Sequence, residues 1–350
     1  MKLFIYISLI TMMLGLSSCD KSPFKVLAKG SPYDVVVVMS NEDWDGKAGE
    51  VVKEELATPV PYLLNPESSM KYSHLTHEFF DKHLSNVRNV LLINIDNKLY
   101  EKATFHKSSD NWAYEQVVLQ LNVPDVETLT NYLTENKGLL IKIFTEEEMR
   151  RTRDFLRKTY SQIVYEQAKA KFDIRIYAPN EIKKMFYPPT SIENPEDCLW
   201  FTNNAPTGRM DILIYSFPFV DDSTFTLDYL VKMRDSITKK IIPGSFEGSY
   251  MSTEKRVVDF IPTTLNGKYC GVLKGLWRME GDMMGGPFVS YARLDETNKR
   301  VIVTEGFVYE PRKEKKQYIR RLEAAMQTVL LPGETVMVTA GNVEQEKKKE

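Results

Sequence analysis

The sequence predicts an α+β protein with a mixed, mostly antiparallel sheet and helices packed against it. Short apolar and β-branched runs alternate along the chain with segments of helical periodicity. Several predicted strands in the second half follow one another, and a hairpin-type loop joins the last two. Hydrophobic residues make up 43% and charged residues 27% of the 350 residues, a globular composition that excludes disorder for most of the chain.

The first half contains three predicted strands and four predicted helices. The strands are the runs Tyr33–Val38, Asn89–Ile95 and Tyr114–Val123. The helices cover Gly46–Ala57, residues 72–86, the segment opened by Pro124-Asp125, and Thr145 to about Lys171. The last helix begins with Thr145-Glu146-Glu147-Glu148, which resembles a capping box. Its length makes it a natural divider between a first α+β half, 32–171, and a second, 172–332.

The second half also alternates predicted strands with predicted helices. Its predicted strands are Phe172–Tyr177, Leu199–Asn203, Met210–Phe217, Arg256–Ile261, Tyr269–Met279, Pro287–Leu294 and Arg300–Tyr309. Its predicted helices are Pro179–Phe186, Thr226–Ile241 and Lys313–Leu331. A strand followed by a helix with Tyr-Leu or Tyr-Ile occurs three times, at Tyr132, Tyr229 and Tyr318. This recurrence suggests two related halves, and chance repetition of common αβ patterns is the alternative.

The first 18 residues have the layout of a lipoprotein signal peptide. A single Lys2 precedes the apolar run Leu3–Leu16, which is too short to span a bilayer and ends in Leu16-Ser17-Ser18-Cys19. This ending resembles the lipobox of bacterial lipoproteins, which implies cleavage before Cys19, a diacylglyceryl group on its thiol and an acyl chain such as palmitate on the new amino terminus. Such an end would anchor the chain stably to a membrane. The alternatives are a plain secretory signal or a buried N-terminal helix.

The chain on either side of the folded body is polar. Residues 19–31 form the lipidated N-terminus and a tether without apolar periodicity, and residues 333–350 form a charged tail. The formal net charge of −2 gives no electrostatic reason to expect nucleic acid as a partner. Cys198 and Cys270 either form a disulfide or remain as two buried thiols. Their apolar neighbours favour inert thiols over a cysteine nucleophile.

The motifs of the common enzyme classes are missing from the sequence. It contains no Gly-x-Ser-x-Gly elbow, no phosphate-binding loop, no Ser-x-x-Lys and no dinucleotide fingerprint, so no catalytic residue and no cofactor is predicted. His74 and His77 on a predicted helix, with Asp81, would form half of a metal site. His77-Glu78 lacks the second histidine of the zinc-protease motif, and surface or capping histidines are commoner than ligands. No metal is therefore predicted.

The most unusual stretch runs from Gly275 to Phe288. Its glycines and proline predict a turn that needs positive φ or close backbone approach, and its methionines beside aromatic rings suggest an adaptable apolar groove with an acidic rim. A tight connection with the methionines in the core is the alternative. The candidate binding residues are Trp277, Glu280, Asp282, Met283, Met284, Gly285 and Gly286. A weaker candidate is Trp44 with the segment Pro61–Glu67, which follow the first strand at the usual ligand edge of open sheets.

These motifs together resemble one family. The lipobox, Gly30-x-Pro32-Tyr33 before a valine strand, Trp44-x-Gly46-x-x-Gly49, Pro61–Glu67 and Met284–Ser290 are similar to a family of Bacteroidetes lipoproteins described only as a domain of unknown function (DUF4837). The resemblance covers about residues 30–332. It implies an envelope lipoprotein without known activity or catalytic residues.

Two further features acquire a meaning from this resemblance. Asp20-Lys21-Ser22-Pro23 lacks the acidic cluster that resembles the family's surface-export signal, which implies the periplasmic face of the outer membrane. Asp222-Ser223-Thr224 resembles an O-glycosylation site of that group, so Ser223 is a candidate acceptor. Asp235-Ser236-Ile237 is a similar match, but it falls inside a predicted helix.

Three classes of function remain open from the sequence. A non-catalytic envelope protein with a binding or scaffold role, whose partner is a protein, glycan or lipid, is favoured because no catalytic constellation emerges. A hydrolase of cell-envelope or glycan material, working through carboxylates, is the alternative. A purely structural lipoprotein is the third class. A deep pocket with converging carboxylates would indicate an enzyme, and an exposed apolar patch near Met283 and Met284 would indicate a partner.

Overall fold

The structure is a computed structural model that describes residues 25–80, 84–186 and 198–335. The predicted signal peptide, Cys19, Asp81 and nearly all of the charged tail lie outside the described residues. The strands are β1 (Val26–Leu27), β2 (Asp34–Val38), β3 (Lys71–Leu75), β4 (Asn89–Ile95), β5 (Thr104–Ser109), β6 (Ala113–Tyr114), β7 (Val117–Val123), β8 (Lys184–Phe186), β9 (Cys198–Thr202), β10 (Arg209–Pro218), β11 (Tyr250–Leu265), β12 (Lys268–Glu280), β13 (Gly285–Asp295) and β14 (Arg300–Tyr309). The helices are α1 (Asn41–Asp45), α2 (Lys47–Ala57), α3 (Val126–Glu135), α4 (Leu139–Lys158), α5 (Gln162–Phe172), α6 (Leu227–Ile241) and α7 (Lys316–Met326).

The first half is built on a five-stranded sheet with the order β3-β2-β4-β7-β5. All its pairings are parallel except that of β5 with β7. Leu91 of β4 and Leu121 of β7 share one buried core with Leu56 of α2 and Phe144 of α4. Val38 and Val90 belong to a smaller buried cluster that includes Phe80. Burial on both faces explains why β2 and β4 are continuous apolar runs.

The second half is built on a seven-stranded antiparallel sheet with the order β11-β12-β13-β14-β10-β9-β8. One face packs against α5 and α7, and its core includes Ile212, Val289 and Leu322. The other face packs against α6, and its core includes Leu213 and Leu230. This arrangement of helices against a largely antiparallel sheet confirms the predicted α+β class. The two sheets differ in strand number and direction, so the Tyr-Leu recurrence does not reflect a shared topology.

Helix α4 belongs to both halves. Phe144 near its start lies in the core of the first half, whereas Met149 and Leu156 lie in the core of the second. The helix is fixed to the first sheet by Glu148, a fully buried carboxylate that accepts hydrogen bonds from Asn89 of β4 at 2.8 Å and from Arg88 just before it at 2.7 Å. The segment predicted to divide the halves therefore connects them.

Three predicted helices differ from the structure. Residues 72–86 contain strand β3 and turns, because Lys71–Leu75 pair in parallel with β2 at the sheet edge. The helix predicted from Thr145 to Lys171 is two helices, α4 and α5. Helix α4 begins after Gly138, whose φ is +80°, and α5 begins after Ser161, whose hydroxyl caps it. The helix predicted over Pro179–Phe186 is a turn followed by β8, which pairs with β9.

The strand predicted over Phe172–Tyr177 is also absent from the described residues. Phe172 ends α5, and Arg175 makes only an isolated bridge with Leu330. The remaining predicted strands of the second half are confirmed, and β11 is longer than expected. None of the helices in the described ranges combines the length and apolar character needed to cross a membrane.

Candidate functional site

Trp277 is part of the protein core. Its side chain is buried, its indole N–H donates to the carbonyl oxygen of Val308 at 3.1 Å, and its ring packs edge-on against Phe307. A Cβ atom on Gly286 would lie 2.1 Å from that same carbonyl oxygen, so glycine is required for the close approach of β13 to β14. Gly285 pairs with Arg278 at the start of β13. The predicted close backbone approach is confirmed, and the predicted apolar groove beside Trp277 is wrong.

The acidic residues of this stretch stabilise local turns. Asp282 accepts from the backbone N–H of Ser245 at 2.8 Å, and this bond holds the pKa of Asp282 below its ordinary range. Glu280 accepts from the hydroxyl of Ser252 at 2.8 Å and from Arg278, and both bonds lower its pKa. Both carboxylates are therefore ionised hydrogen-bond acceptors, which is unsuited to a general acid.

The two methionines of the turn have different environments. Met283 is fully exposed, whereas Met284 is half-buried and packs against the core under α6. The backbone between them turns at Gly281, whose φ of +78° confirms the positive φ that was predicted here. The pair does not line a common groove, so it offers no site for a small ligand.

Trp44 lies on α1, the short helix that follows β2 in the first half. Its ring stacks on His74 with centroids 4.6 Å apart, and the ammonium group of Lys53 lies 4.1 Å from the ring centroid. His74 also forms a hydrogen bond with the carbonyl oxygen of Met39 at 3.0 Å, and His77 forms one with Asn94. These contacts give both histidines structural partners. The arrangement of His74 and His77 on one helical face is wrong, because His74 lies on strand β3.

The structure excludes a disulfide between Cys198 and Cys270. Cys198 is on β9 and Cys270 on β12, with three strands between them in the sheet, and their side chains belong to the cores on opposite faces. Strands are about 4.8 Å apart, so the Cα separation far exceeds the reach of a disulfide. Neither cysteine is in a disulfide within the described ranges. Burial raises the pKa of the Cys270 thiol to about 12, which makes it inert.

Ser223 is exposed in the short 3-10 helix Asp222–Phe225. Its hydroxyl donates to Asp221 at 2.5 Å. Ser236 lies within α6, where its hydroxyl donates to the carbonyl oxygen of Met233. Glycosylation of Ser223 stays a prediction. Within the described ranges, no group of three or more His, Cys, Asp and Glu side chains is placed to hold a metal ion.

A cavity of about 430 Å³ lies between the two halves, and we call it the central cleft. This volume is within the range of small-molecule sites. Helices α4 and α7 supply two walls, and the start of β13 and a loop of the first half supply the rest. The lining residues include Pro61, Tyr62, Ile141, Lys142, Glu146, Met149, Arg153, Lys274, Pro287, Phe288, Val289, Ile319, Arg320, Glu323 and Gln327. Two predicted segments, Pro61–Glu67 and Met284–Ser290, thus meet at this cleft.

The cleft carries two guanidinium groups without a carboxylate partner. Arg153 donates to the amide oxygen of Gln327 at 2.5 Å, and Arg320 donates to the carbonyl oxygen of Ser69 at 3.3 Å. Arg320 is buried, and its guanidinium lies 4.1 Å from the ring centroid of Tyr33. Neither arginine forms a salt bridge with any described residue. Burial lowers the pKa of both guanidinium groups, because little negative charge compensates their loss of water.

The two carboxylates of the cleft have lysine partners. Glu323 binds Lys274 at 2.6 Å and accepts from the hydroxyl of Tyr291, and Glu146 lies 4.0 Å from Lys142. Arg153 and Arg320 thus lack a carboxylate at salt-bridge distance among the described residues, and they lie beside apolar walls formed by Met149, among others. This combination suits a ligand that has an anionic group and an apolar body.

The loop between Pro59 and Ser69, which we call the strap, connects the two halves across the cleft. Glu67 is buried and accepts from the backbone N–H groups of Lys315 at 2.7 Å and Lys316 at 2.8 Å, which begin α7. Tyr62, whose φ is +61°, donates its hydroxyl to Asp259 of β11 at 2.6 Å. The strap thereby caps a helix of the other half and forms one wall of the cleft.

The cationic part of this site was not predicted from the sequence. Arg153 is one of several charged residues on α4, and Arg320 is one of several on α7, so each was typical of a solvated helix face. The useful pattern was the four-residue spacing of Met149 and Arg153, because this spacing places them on one face of a helix. Nothing in the sequence indicated that the face of α4 would meet that of α7.

The fold and the cleft define a two-sheet α+β protein with a ligand-sized cavity between its halves. Residues 161–328 match the family described as "Domain of unknown function (DUF4837)". Residues 28–157 match a second one, described as "Domain of unknown function (DUF8532)". The expectation that one family covers residues 30–332 is thereby corrected, since the two halves match different family models. A comparison with curated proteins finds no match.

Two solved structures are similar to part of the chain. A mutant of the protein Mog1 has 12% sequence identity, covers 45% of this chain and 90% of its own, and has a TM-score of 0.27. The Saccharomyces cerevisiae Ran-binding protein Mog1p has 11% identity, covers 45% of this chain and 89% of its own, and has a TM-score of 0.28. TM-scores of this size are too low to assign a common fold or function.

Proposed function

We propose that this protein is a non-catalytic envelope lipoprotein that binds an anionic amphipathic ligand in the central cleft. The observation that carries the proposal is the pair of guanidinium groups, Arg153 and Arg320, which lack carboxylate partners beside apolar walls. A cation that is partly or fully buried without a carboxylate partner is unfavourable, and a bound carboxylate or phosphate would compensate its charge. The strap and α7 would hold the ligand between the halves.

The proposed location is the periplasmic face of the outer membrane, with the chain anchored by lipid on Cys19. The support comes from the sequence, in which the lipobox-like Leu16-Ser17-Ser18-Cys19 follows an apolar run. A ligand with an apolar body suits a protein at a membrane, since such molecules partition there. A scaffold role for the same protein would use its outer surfaces and does not compete with the cleft.

A hydrolase that works through carboxylates remains the alternative class of function. Paired catalytic carboxylates need to face one reacting bond, with one of them able to donate a proton. The cleft carboxylates Glu146 and Glu323 lie beside Lys142 and Lys274 instead. This pairing favours binding over hydrolysis as the function of the cleft.

Calorimetric titration of the mature protein with decanoate and with neutral decanol tests the proposal. We expect saturable binding of decanoate that is at least about tenfold tighter than that of decanol, because one charge-assisted hydrogen bond contributes about 1.5–3 kcal/mol. The variants Arg153→Met and Arg320→Met should lose this preference for the anion. Lys142→Met is the matched control, because Lys142 has an acidic neighbour and is mostly exposed.

Two results would contradict the proposal. Equal affinity for decanoate and decanol in the wild-type protein would show that the cleft cations do not select an anion. Cleavage of an ester probe such as methyl decanoate, abolished by Glu323→Gln, would favour the hydrolase instead.

A further inference from the structure

Four exposed apolar side chains surround the point where the described chain begins. Val26 and Leu27 form β1, which pairs in parallel with β6, and Tyr114 ends β6. Trp112 precedes β6, and the ring of Phe80 packs edge-on against it with centroids 5.3 Å apart. The exposed fractions are 47% for Val26, 62% for Leu27, 36% for Trp112 and 50% for Tyr114. We call these four residues the N-terminal patch.

The N-terminal patch lies at the end of the five-stranded sheet where its parallel strands begin. Strand β6 ends just before β7 begins, and Lys29 makes a parallel bridge with Val87, just before β4 begins. The ammonium group of Lys25 donates to the carbonyl oxygen of Asp110 at 2.5 Å, which fixes the start of the described chain to this end. The patch therefore stands where the parallel strands start. Leu99, which follows β4, is at the opposite end of the sheet, where the parallel strands end.

The chain before Lys25 limits how far the patch can be from a lipid on Cys19. Lys25 is six residue steps from Cys19 along the chain (25 minus 19). A fully extended chain of six residues spans at most about 21 Å. An acyl group at Cys19 would therefore keep this end of the sheet within about 21 Å of the bilayer surface. This step rests on the lipid anchor of the proposed function.

The composition of the patch suits the interface of a phospholipid bilayer. Trp112 and Tyr114 have apolar rings with a polar group at one end, and such side chains favour the level of the lipid headgroups. Val26 and Leu27 supply aliphatic surface beside them. Lys25 and Lys29 are on the same segment and suit lipid phosphates.

We propose that the N-terminal patch rests on the bilayer, so that the lipid anchor and the patch together orient the protein. The end of the five-stranded sheet where the parallel strands begin then faces the membrane. The opposite end of that sheet, with Trp44 and Leu99, faces away from it. The body is held in one orientation at the membrane instead of turning freely on its tether.

Quenching of tryptophan fluorescence tests this orientation. The mature lipidated protein is reconstituted into vesicles of phosphatidylethanolamine and phosphatidylcholine, with bromine on the acyl chains of the phosphatidylcholine. We expect the brominated lipid to quench a component of the emission that Trp112→Phe removes and Trp44→Phe leaves. Leu27→Asp should lower the quenching at least twofold, and Leu99→Asp, which changes an exposed leucine at the opposite end, should not.

The outcomes separate the patch from the anchor. Mass spectrometry of Cys19 and flotation with the vesicles report the anchor independently of the quenching. Floating protein with acylated Cys19 but without Trp112 quenching would overturn the patch and leave the anchor, and it would indicate that a protein partner or water covers the patch. An unmodified Cys19 would overturn both.

Discussion

Replacing Glu67 with alanine should weaken the connection between the two halves of the protein. The Glu67 carboxylate is the only described side chain that accepts from the backbone N–H groups of Lys315 and Lys316, at 2.7 and 2.8 Å. A hydrogen bond to a charged group contributes about 1.5–3 kcal/mol, and loss of a helix cap costs about 0.5–2 kcal/mol. The two bonds share one carboxylate and are not additive, so we expect the free energy of unfolding to fall by about 2–4 kcal/mol.

Urea unfolding of the full mature chain, followed by circular dichroism, measures this change. Glu314→Ala is the matched control, because Glu314 also forms a contact between the halves, with Lys71 at 3.3 Å, but both side chains are more than half exposed. An exposed ion pair of this kind contributes about 0–1 kcal/mol. Glu67→Gln should be intermediate, since it keeps one oxygen acceptor and loses the charge.

A loss of less than about 0.5 kcal/mol for Glu67→Ala would refute this reasoning, because it would place a buried cap below the usual range for exposed ones. The same result would imply that the strap is held by its other contacts, such as Tyr62 with Asp259. We also expect Glu67→Ala to weaken binding of decanoate, since the strap forms a wall of the cleft.

Three further predictions concern other parts of the fold. Gly286→Ala should lower the free energy of unfolding by about 1–3 kcal/mol in urea unfolding, because its Cβ would lie 2.1 Å from the Val308 oxygen; an unchanged value would contradict this close approach. Cys270 should react with iodoacetamide at pH 8 only after unfolding, because burial raises its pKa to about 12. Peptide mapping by mass spectrometry that finds the label on Cys270 in the native protein would disprove this. Burial opposes ionisation of Glu334, but hydrogen bonds from Arg293 and from the backbone hold its pKa below the ordinary value of 4.5. A carboxylate whose pKa is lower in the folded than in the unfolded protein stabilises the fold above its unfolded-state pKa, and this stabilisation is lost as the pH falls through its folded-state pKa. The difference in the free energy of unfolding between wild type and Glu334→Gln should therefore shrink from about pH 5 to pH 3. A constant difference would exclude this linkage.

The elements that the sequence predicts best are those buried on both faces. Asn89–Ile95 and Arg300–Tyr309 have the predicted bounds, because central strands are covered on both faces and are therefore rich in apolar and β-branched residues. The helices predicted to open at Pro124-Asp125 and at Thr226 begin there, and the side chains of Asp125 and Thr226 cap them. In these places local sequence preference and tertiary packing agree.

The failures occur where the surroundings decide the conformation. Strand β3 is at a sheet edge, paired with β2 alone, so its polar and apolar residues lack a strand pattern and the helical spacing of Leu75, Phe79 and Phe80 is accidental. Helix α7 begins at Lys316 without a capping side chain of its own, and Glu67 supplies the cap from the other half. Periodicity in one segment contains no information about such a partner.

The predictions for the candidate site were likewise correct where the cause is local and wrong where it comes from distant parts of the chain. The glycines of Gly275–Phe288 were correctly associated with close approach and positive φ, because these needs are local. The interpretation of Trp277 as a ligand contact was wrong, since β13 and β14 bury the indole from outside the stretch. The cleft arises between segments far apart in the chain, so neither Arg153 nor Arg320 was distinguishable from an ordinary surface cation.

The contact of the strap with α7 has a consequence for the order of folding. Glu67 and Lys315 are 248 residues apart, so a ribosome that synthesises the chain from its amino end produces the strap long before its partner helix exists. The strap of the first half therefore lacks its partner on α7 until the second half has been synthesised. A chain truncated before α7 would lack one wall of the central cleft, so the cleft depends on a helix that is synthesised long after the strap.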